Sequence, residues 1–379
     1  MSCVLKMWGM QKMFDIIIPI LKMKPKYLHE CLASLKAQQH RKFKCYIIDG
    51  SPEDWEQYEE SMKVINSMME MDRRFEYHRH PNLDEPYVSE AQNYGLSLGS
   101  NPYVSFLGGD DFYYPHHLIS MKDAIDAEND DDVGFWFCMV KTNSKTILDF
   151  QTFKLGRVRS WLMNHYLSYP TMPKYLYPYF HRSNAIFMNG LVLKRELVEA
   201  VNGFNVEYQI GEDVDMVMKI ALKGYHGRWL PYVGSYLRKH GEQATNEDRI
   251  EQMSKEKRLK WSRQLAQKEI DYSEYKIGWK RWKTIEDWEI EVEKNGGNPV
   301  GQGDGNDKRL TGNELELEYE RLEKIIGTKI TPAHFEILRG ITSGTYIEKT
   351  HFELLDEERL FLLKTDEEES QFIENDIVI

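Results

Sequence analysis

Two pairs of neighbouring carboxylates are the residues best placed to do chemistry. Asp110 and Asp111 follow two glycines directly after an apolar stretch. A hard divalent cation is bound by oxygen ligands of this kind, usually one or two carboxylates together with waters and phosphate oxygens. The glycines would let a bulky ligand approach the backbone closely. An acidic turn that caps a strand would give the same residues, so the pair alone leaves both interpretations open.

The second pair, Glu212 and Asp213, precedes an amphipathic stretch that predicts a helix over residues 212–223. The helix dipole favours an ionised carboxylate at this position and thereby lowers its basicity. A base that works near neutral pH therefore needs burial to counter that field. The alternative is that both residues simply cap their helix.

Alternating strands and helices are predicted to position these side chains. Apolar, β-branched runs predict buried strands, and helical spacing of apolar residues lies between them. The predicted strands are 15–20, 44–48, 74–78 and 103–107, and the predicted helices cover 28–35, 55–69 and 89–98. This order predicts an α/β fold with a mostly parallel sheet flanked by helices. Ligands of such sheets lie beyond the carboxyl ends of the strands, where Asp49 and Asp110 both fall.

The remaining chain predicts further strands at 133–140 and 185–193 and a final edge strand at 225–237.

Composition limits the class of protein. The 379 residues are 41% hydrophobic and carry a net charge of −12, which disfavours a nucleic-acid partner. No stretch approaches the roughly 20 apolar residues of a transmembrane helix, and residues 1–12 lack the apolar region of a secretory signal. The four scattered cysteines fit a reducing compartment, so we expect a soluble, cytoplasmic protein.

Four sequence blocks follow one another along the chain in a defined order. They are Ile16-Ile17-Ile18-Pro19 (followed by Tyr27-Leu28-His29-Glu30-Cys31-Leu32-Ala33-Ser34-Leu35 and Gln38), Ile47-Ile48-Asp49-Gly50-Ser51, Phe106-Leu107-Gly108-Gly109-Asp110-Asp111 (preceded by Ser89-Glu90-Ala91-Gln92-Asn93-Tyr94-Gly95-Leu96) and Gly211-Glu212-Asp213-Val214-Asp215 (preceded by Gly203-Phe204). Through these blocks, over roughly residues 14–240, the chain resembles family 2 glycosyltransferases of the glycosyltransferase-A fold. The resemblance implies that the chain moves a sugar from a nucleotide-diphosphate donor, a UDP-sugar being favoured, to a hydroxyl of a saccharide or glycan acceptor. It also implies inversion of configuration and a requirement for Mn²⁺ or Mg²⁺.

Carried over by position, the resemblance implies a role for each site residue. The donor-binding residues would be Pro19, Ile20, Asp49, Asp84, Asn93 and Asp110. The metal-binding residues would be Asp110, Asp111 and His240, although a surface histidine is the alternative for His240. Asp213 would be the general base, and Glu212 would orient the acceptor or its loop.

Three positions depart from the family pattern. Gly108 replaces the usual first acidic residue of the metal motif, Ile48 stands where many members have a second Asp, and Gln92 stands where many have Arg. These departures put the identity of the donor in doubt more than the reaction class. A degenerate domain that only binds saccharide or nucleotide stays an alternative, as does a sugar nucleotidyltransferase. The nucleotidyltransferase is disfavoured because residues 21–25 contain no glycine-rich loop.

The predicted organisation has five parts. An extension at 1–12 precedes a catalytic domain at 13–245, a helical extension at 246–293, a glycine-rich linker at 294–310 and an acidic, mainly helical region at 311–379. The last region has no assigned role, and a homo-oligomer contact is one possibility. An aromatic-rich segment at 161–180 could stack on sugars in the acceptor site, or could be a packed insertion or a dimer surface.

Overall fold

The structure is a computed structural model that describes residues 14–142, 186–208, 211–238, 240–241, 254–271 and 282–299. Several predicted features lie outside these residues: the extension at 1–12, the aromatic segment at 161–180 and the acidic region at 311–379. The five-part division of the chain also stays a prediction.

The first half of the fold alternates strands and helices as predicted. In order, the elements are β1 (Phe14–Ile20), α1 (Pro25–Lys36), β2 (Phe43–Asp49), α2 (Tyr58–Met71), β3 (Phe75–Arg79), α3 (Val88–Leu98) and β4 (Tyr103–Phe106). Pro25 begins α1, where its missing N–H costs no helical hydrogen bond. Trp55 was predicted within the second helix but lies before it, because residues 52–58 form turns in which Trp55 N donates to Pro52 O.

The second half contains two short strands, two long strands and several helices. In order, they are β5 (Phe112–Tyr113), α4 (His117–Ala127), β6 (Val133–Thr142), β7 (Leu191–Lys194), α5 (Arg195–Ala200), α6 (Glu212–Leu222), β8 (His226–Leu237), α7 (Lys255–Asp271) and α8 (Ile285–Lys294). The strand predicted at 185–193 is wrong at its start. Met188–Gly190 form a short 3-10 helix instead, and the Asn189 side chain in it donates to Asp111 Oδ2 at 3.3 Å.

All eight strands form one sheet in the order β3-β2-β1-β4-β7-β6-β8-β5. Strands β3, β2, β1 and β4 are parallel neighbours, β6 and β8 are parallel to each other, and β7 and β5 run antiparallel to their neighbours. The predicted mostly parallel α/β sheet is therefore confirmed. The predicted edge position of the last strand is wrong, because β8 lies between β6 and β5. Phe112 of β5 stacks on Tyr236 of β8 with ring centroids 4.7 Å apart and covers that edge.

The core lies between the sheet and the helices that cover it. Strand β1 is buried along its whole length except at Pro19, as expected of a parallel strand with both faces covered. Helices α1, α2 and α4 contribute apolar residues such as Leu32, Ile65 and Met121 to the same core. Among the described helices, none combines the length and the apolar character that crossing a membrane would need.

Candidate active site

The carboxyl ends of β2, β1 and β4 lie side by side, because these three strands are parallel neighbours. Backbone hydrogen bonds join the segments that follow them. Gly50 N donates to Ile20 O at 2.9 Å, and Lys22 N donates to the Ser51 hydroxyl at 2.7 Å. The segment after Pro19 and Ile20 is thus tied to the Asp49-Gly50-Ser51 turn, as a shared donor site requires.

Asp49 is held in one orientation at the end of β2. Its side chain is 2% exposed, and its Oδ1 accepts from the Ser51 backbone N at 2.8 Å. Its Oδ2 accepts from the Tyr77 hydroxyl at 3.1 Å and from the Arg79 guanidinium at 3.1 Å. Burial raises the pKa of Tyr77, so this hydroxyl keeps its proton and remains a donor. The Asp49 carboxylate is therefore held in one orientation by its neighbours.

Asp84 lies in the loop between β3 and α3. This loop touches the Asp49 turn, since a Cβ placed on Gly50 would be only 2.6 Å from Pro86 Cβ. Asp84 itself is exposed to solvent. Asp84, which was predicted to bind the donor, therefore lies in a loop beside Asp49, and its side chain is exposed to solvent.

The loop after β4 packs directly on the end of β1. A Cβ on Gly109 would approach Ile20 Cγ2 to 2.6 Å, so no larger residue fits here without movement. A Cβ on Gly108 would lie 2.8 Å from Asp110 Oδ1. The position where the family pattern has an acidic residue is thus next to the Asp110 carboxylate.

Asp110 and His240 meet at this loop. Asp110 Oδ2 lies 2.9 Å from His240 Nε2, and the imidazole ring packs on Tyr27 with centroids 5.1 Å apart. Arg238 is held nearby: its Nε donates to Asp110 O at 2.9 Å, and its guanidinium stacks on Tyr27 and pairs with Glu30. The end of β8 therefore brings a histidine and an arginine to the predicted metal loop.

Asp111 differs from its neighbour because its carboxylate faces the protein. It is 5% exposed, its Oδ1 accepts from Arg238 N at 2.8 Å, and its Oδ2 accepts from Asn189 Nδ2 at 3.3 Å. Burial and the adjacent charge of Asp110 raise the pKa of Asp111 well above its usual value. This geometry suits a residue that supports the loop.

In the described part of the chain, no group of three or more His, Cys, Asp or Glu side chains is arranged to hold a metal ion. The Asp110–His240 pair still suits a cation that also has phosphate ligands. Two ligands with bonds of about 2.1 Å at right angles lie about 3 Å apart. The observed separation of 2.9 Å matches that distance.

Glu212 and Asp213 form the first turn of α6. The preceding Gly211 has φ of +75°, a left-handed conformation that favours glycine. Because glycine has no side chain, this N-cap position offers no side-chain hydrogen bond to the helix. Asp213 Oδ1 accepts from Val214 N at 2.8 Å. Burial, followed by the charge of Asp213, raises the pKa of Glu212 to about 8. The two carboxylates thus have distinct environments although they are adjacent in sequence.

Asn93 forms two hydrogen bonds with the backbone of Phe204. Its Nδ2 donates to Phe204 O at 2.8 Å, and its Oδ1 accepts from Phe204 N at 2.8 Å. Both ends of the amide therefore join α3 to the Gly203-Phe204 turn. Contact between Asn93 and the donor stays a prediction.

Sequence reasoning missed several residues that shape this site. Tyr77 and Arg79 are two positions apart on β3, so their side chains lie on the same face of the strand. Asp49 pairs with Arg79 in the register of β2 and β3, and both side chains reach it. Tyr27 and Glu30 are three positions apart on α1, a spacing that puts them on one helix face. The alternation and the helical spacing were visible, but their partners are distant in sequence.

Two family models match this sequence. The model described as "Glycosyl transferase family 2" matches residues 15–193, and the one described as "Glycosyl transferase family group 2" matches residues 139–273. No curated protein matches the chain.

Similar solved structures include TarS from S. aureus, residues 1–349, in complex with UDP-GlcNAc. It is 14% identical, with 90% of this chain and 91% of that chain covered and a TM-score of 0.48. The mannosyltransferase PcManGT from Pyrobaculum calidifontis, in complex with GDP-Man and Mn²⁺, is 14% identical, with 93% and 84% covered and a TM-score of 0.46. Against the longer TarS crystal structure, the match covers 88% of this chain and only 54% of that chain. This chain thus spans about half of the longer protein.

Proposed function

Because this chain belongs to glycosyltransferase family 2, we propose that it moves a sugar from a nucleotide-diphosphate donor to a hydroxyl of a saccharide or glycan, with inversion and with help from Mn²⁺ or Mg²⁺. The observation that carries the proposal is the continuous edge formed by the Asp49 turn, the end of β1 and the Asp110–His240 pair. This edge offers a nucleoside ligand and a phosphate-side ligand in adjacent loops.

Asp49 would bind the base of the nucleotide. A carboxylate has about four lone-pair sites. Three donors already bond to Asp49, namely Ser51 N, Tyr77 Oη and Arg79 Nη1. The remaining capacity suits one N–H of a base such as uracil, which makes a UDP-sugar the first donor to test.

Asp110 and His240 would hold the divalent cation together with oxygens of the donor diphosphate. A carboxylate and an imidazole are both ligands that Mn²⁺ accepts, and phosphate oxygens complete such sites. A cation bound there would stabilise the negative charge that gathers on the leaving diphosphate. The Arg238 guanidinium, fixed on Tyr27 and Glu30, places a further positive charge beside the same loop.

Asp213 would take the proton of the acceptor hydroxyl. As that oxygen forms a bond to the anomeric carbon, the bond from this carbon to the diphosphate breaks, which gives a single inverting displacement. Glu212, with a pKa of about 8, retains its proton at neutral pH and can donate a hydrogen bond. Two adjacent carboxyl groups in different protonation states can divide acid and base roles in this way.

Thermal unfolding with UDP, GDP, TDP and CDP, each with and without Mn²⁺, tests the donor site. A ligand at 100 times its Kd adds about 2.7 kcal/mol to the free energy of unfolding, which shifts Tm by several degrees. We expect one nucleotide to give a shift that depends on Mn²⁺. If the folded protein responds to none of them, the donor site is wrong and a degenerate domain is favoured.

A transfer assay with the sugar nucleotide of the base so identified tests the reaction itself. We expect the anomeric configuration of the product, read by NMR, to be opposite to that of the donor. Retention of configuration would contradict the single displacement while leaving the donor site intact. Asp213→Asn should keep donor binding and lose transfer, and unchanged turnover would remove Asp213 as the base.

A further inference from the structure

Helix α7 (Lys255–Asp271) has two different faces, although its sequence is polar overall. One side of the helix carries Leu259, Ala266 and Ile270. These residues pack against buried side chains of α8 and of the segment just before it. Those partners are Trp282, Trp288 and Val292. The apolar face of α7 therefore serves its contact with α8, and its opposite face is available to the sheet domain.

That opposite face carries polar residues at helical spacing, and they contact loops of the sheet domain in succession. Lys260 Nζ donates to the Tyr87 hydroxyl at 2.6 Å, in the loop that contains Asp84. Gln264 Nε2 donates to Glu207 O, and the Tyr208 hydroxyl donates to Asp271 Oδ2 at 2.8 Å. The helix thus spans from the donor-side loop to the segment before α6.

Lys268 lies on this same face, between Gln264 and Asp271, and reaches the start of α6. A Cβ on Gly211 would collide with Lys268 Nζ, so the lysine lies directly against the backbone that precedes Glu212. The charges of Asp213, Asp215 and Glu212 all act on this ammonium group. Glycine at 211 thus serves two needs, the left-handed turn and the space for Lys268.

We propose that Lys268 is a positioning residue of the active site, whose ammonium group holds Glu212 and Asp213 side by side at the start of α6. The proposal rests on the proposed role of Asp213 as the base. It brings α7, which lies beyond the predicted catalytic domain of 13–245, into the catalytic machinery. Lys268 acts on the acceptor only through the two carboxylates.

The charges around the pair support this role. From α6 itself come Glu212, Asp213 and Asp215, of which Asp215 pairs with Lys219 at 2.7 Å. From α7 come Lys268 and Asp271, and Asp271 is engaged by Tyr208. Lys219 thus forms an ion pair with Asp215. The positive charge of Lys268 on α7 lowers the pKa of Glu212, against the larger effect of burial, which raises it. Burial lowers the pKa of Lys268 while the three carboxylates oppose that change.

The test compares Lys268→Met, which keeps the length of the side chain and removes its charge, with Lys268→Arg, which keeps the charge. Lys257→Met is the matched control, because Lys257 is exposed on the same helix. We expect Lys268→Met to lower kcat about tenfold or more, within the range of base catalysis, with the Kd for UDP and Mn²⁺ unchanged. The acid limb of its kcat–pH profile should move up by about one pH unit, because a neighbouring positive charge is lost. Lys268→Arg should recover most of kcat, and Lys257→Met should resemble the unaltered protein.

A carboxyl ¹³C NMR titration of the same variants needs no turnover. In Lys268→Met the pKa of Glu212 should rise further above its value of about 8. An unchanged titration and an unchanged acid limb would overturn the proposal. If Lys268→Met does not fold, Lys268→Gln is judged by the same two readouts. Absence of transfer by the unaltered protein would contradict the proposed function, whereas the titration alone would still decide whether Lys268 acts on Glu212.

Discussion

Three carboxylates of the site have three distinct environments. Asp49 accepts hydrogen bonds from Tyr77, Arg79 and the Ser51 backbone, which fix its orientation and leave capacity for one further donor. Asp110 meets an imidazole at 2.9 Å, whereas the adjacent Asp111 faces Arg238 N and Asn189. These contacts support our proposals that Asp110 binds the cation and that Asp111 supports the loop.

Replacing Asp110 tests that assignment. Asp110→Asn removes the negative charge beside His240, so we expect the Mn²⁺-dependent part of the thermal shift with UDP to disappear. The measurement is Tm with UDP, with and without Mn²⁺. Asp132→Asn, at an exposed aspartate after α4, is the control and should keep the full shift. A metal-dependent shift of unchanged size in Asp110→Asn would remove Asp110 as a metal ligand.

Glu212 predicts a pH dependence of stability. Its pKa rises from 4.5 to about 8 on folding, so over this interval the folded state keeps a proton that the unfolded state has lost. Its contribution to the free energy of unfolding is therefore complete below pH 4.5 and is lost as pH rises through about 8. Glu212→Gln has no such proton, and we expect urea unfolding to show a flatter decline across this interval. Glu196→Gln, at an exposed position on α5, should keep the original slope.

At the scale of elements, the position of the loop after β4 depends on its close packing against the end of β1. Gly109 leaves room for Ile20, and Met23 lies next to both, so the backbone of the metal loop rests on the end of the central strand. The partner residues arrive from β8, whose last residues place Arg238 and His240 at the loop. The site thus depends on two strands that are not neighbours in the sheet.

Gly109→Ala tests this packing. The added Cβ would lie 2.6 Å from Ile20 Cγ2, and overpacking of this kind costs about 1–3 kcal/mol. We expect the free energy of unfolding to fall by that amount in urea titrations and the UDP-dependent shift to shrink with it. Gly241→Ala is the control, because a Cβ there has no neighbour within 4 Å among the residues that the structure describes. Equal stability of both variants would show that the loop adjusts easily.

At the scale of the whole molecule, a buried ion pair joins elements that are far apart in sequence. Arg195 of α5 bonds to Asp15 of β1 at 2.6 Å, and its exposed fraction is 8% against 0% for Asp15. The same guanidinium donates to Leu96 O at the end of α3. One arginine therefore ties the first strand to two helices at the end of the sheet opposite to the loops that follow β2 and β4.

Arg195→Met should be strongly destabilising, because it leaves the Asp15 carboxylate buried without its cation. Removal of one partner of such a pair costs about 3–5 kcal/mol, which urea unfolding would measure. Lys44→Met, which breaks the exposed pair with Glu76, should change stability by about 1 kcal/mol or less. A similar small loss in Arg195→Met would mean that the two donors from Asn101, its N at 2.9 Å and its Nδ2 at 2.6 Å, are enough for the Asp15 carboxylate.

The helical extension also acts at this scale, since α7 contacts both the donor-side loop and the start of α6. Self-association through residues 311–379 stays a prediction, as do a cytoplasmic location and the acceptor role of the aromatic segment at 161–180. Light scattering of the full chain tests the first of these. An oligomer that is lost when the chain is truncated at about residue 245 would support self-association, and a monomeric full chain would leave acceptor binding or recruitment of a partner as the alternatives.

The sequence by itself determined the order of the elements in the first half and the loops that carry Asp49 and Asp110. Continuous apolar runs such as that in β1 and helical spacing such as that in α1 are local signals, and they matched the structure closely. Strand ends in a parallel sheet meet at one edge, so both aspartates were placed correctly without coordinates. Local signals failed at Met188–Gly190 and at the predicted edge strand, where contacts from distant residues decided the conformation.

Only the tertiary structure decided which groups surround each carboxylate of the candidate site. Asp110 and Asp111 are identical in type and adjacent in sequence, yet His240 meets one, and Asn189 with the backbone of Arg238 meets the other. Lys268 lies against Gly211, at the start of α6, although its helix follows the predicted catalytic domain in sequence. The physical reason is that burial and Coulomb interactions depend on distance in space, which periodicity along the chain does not encode.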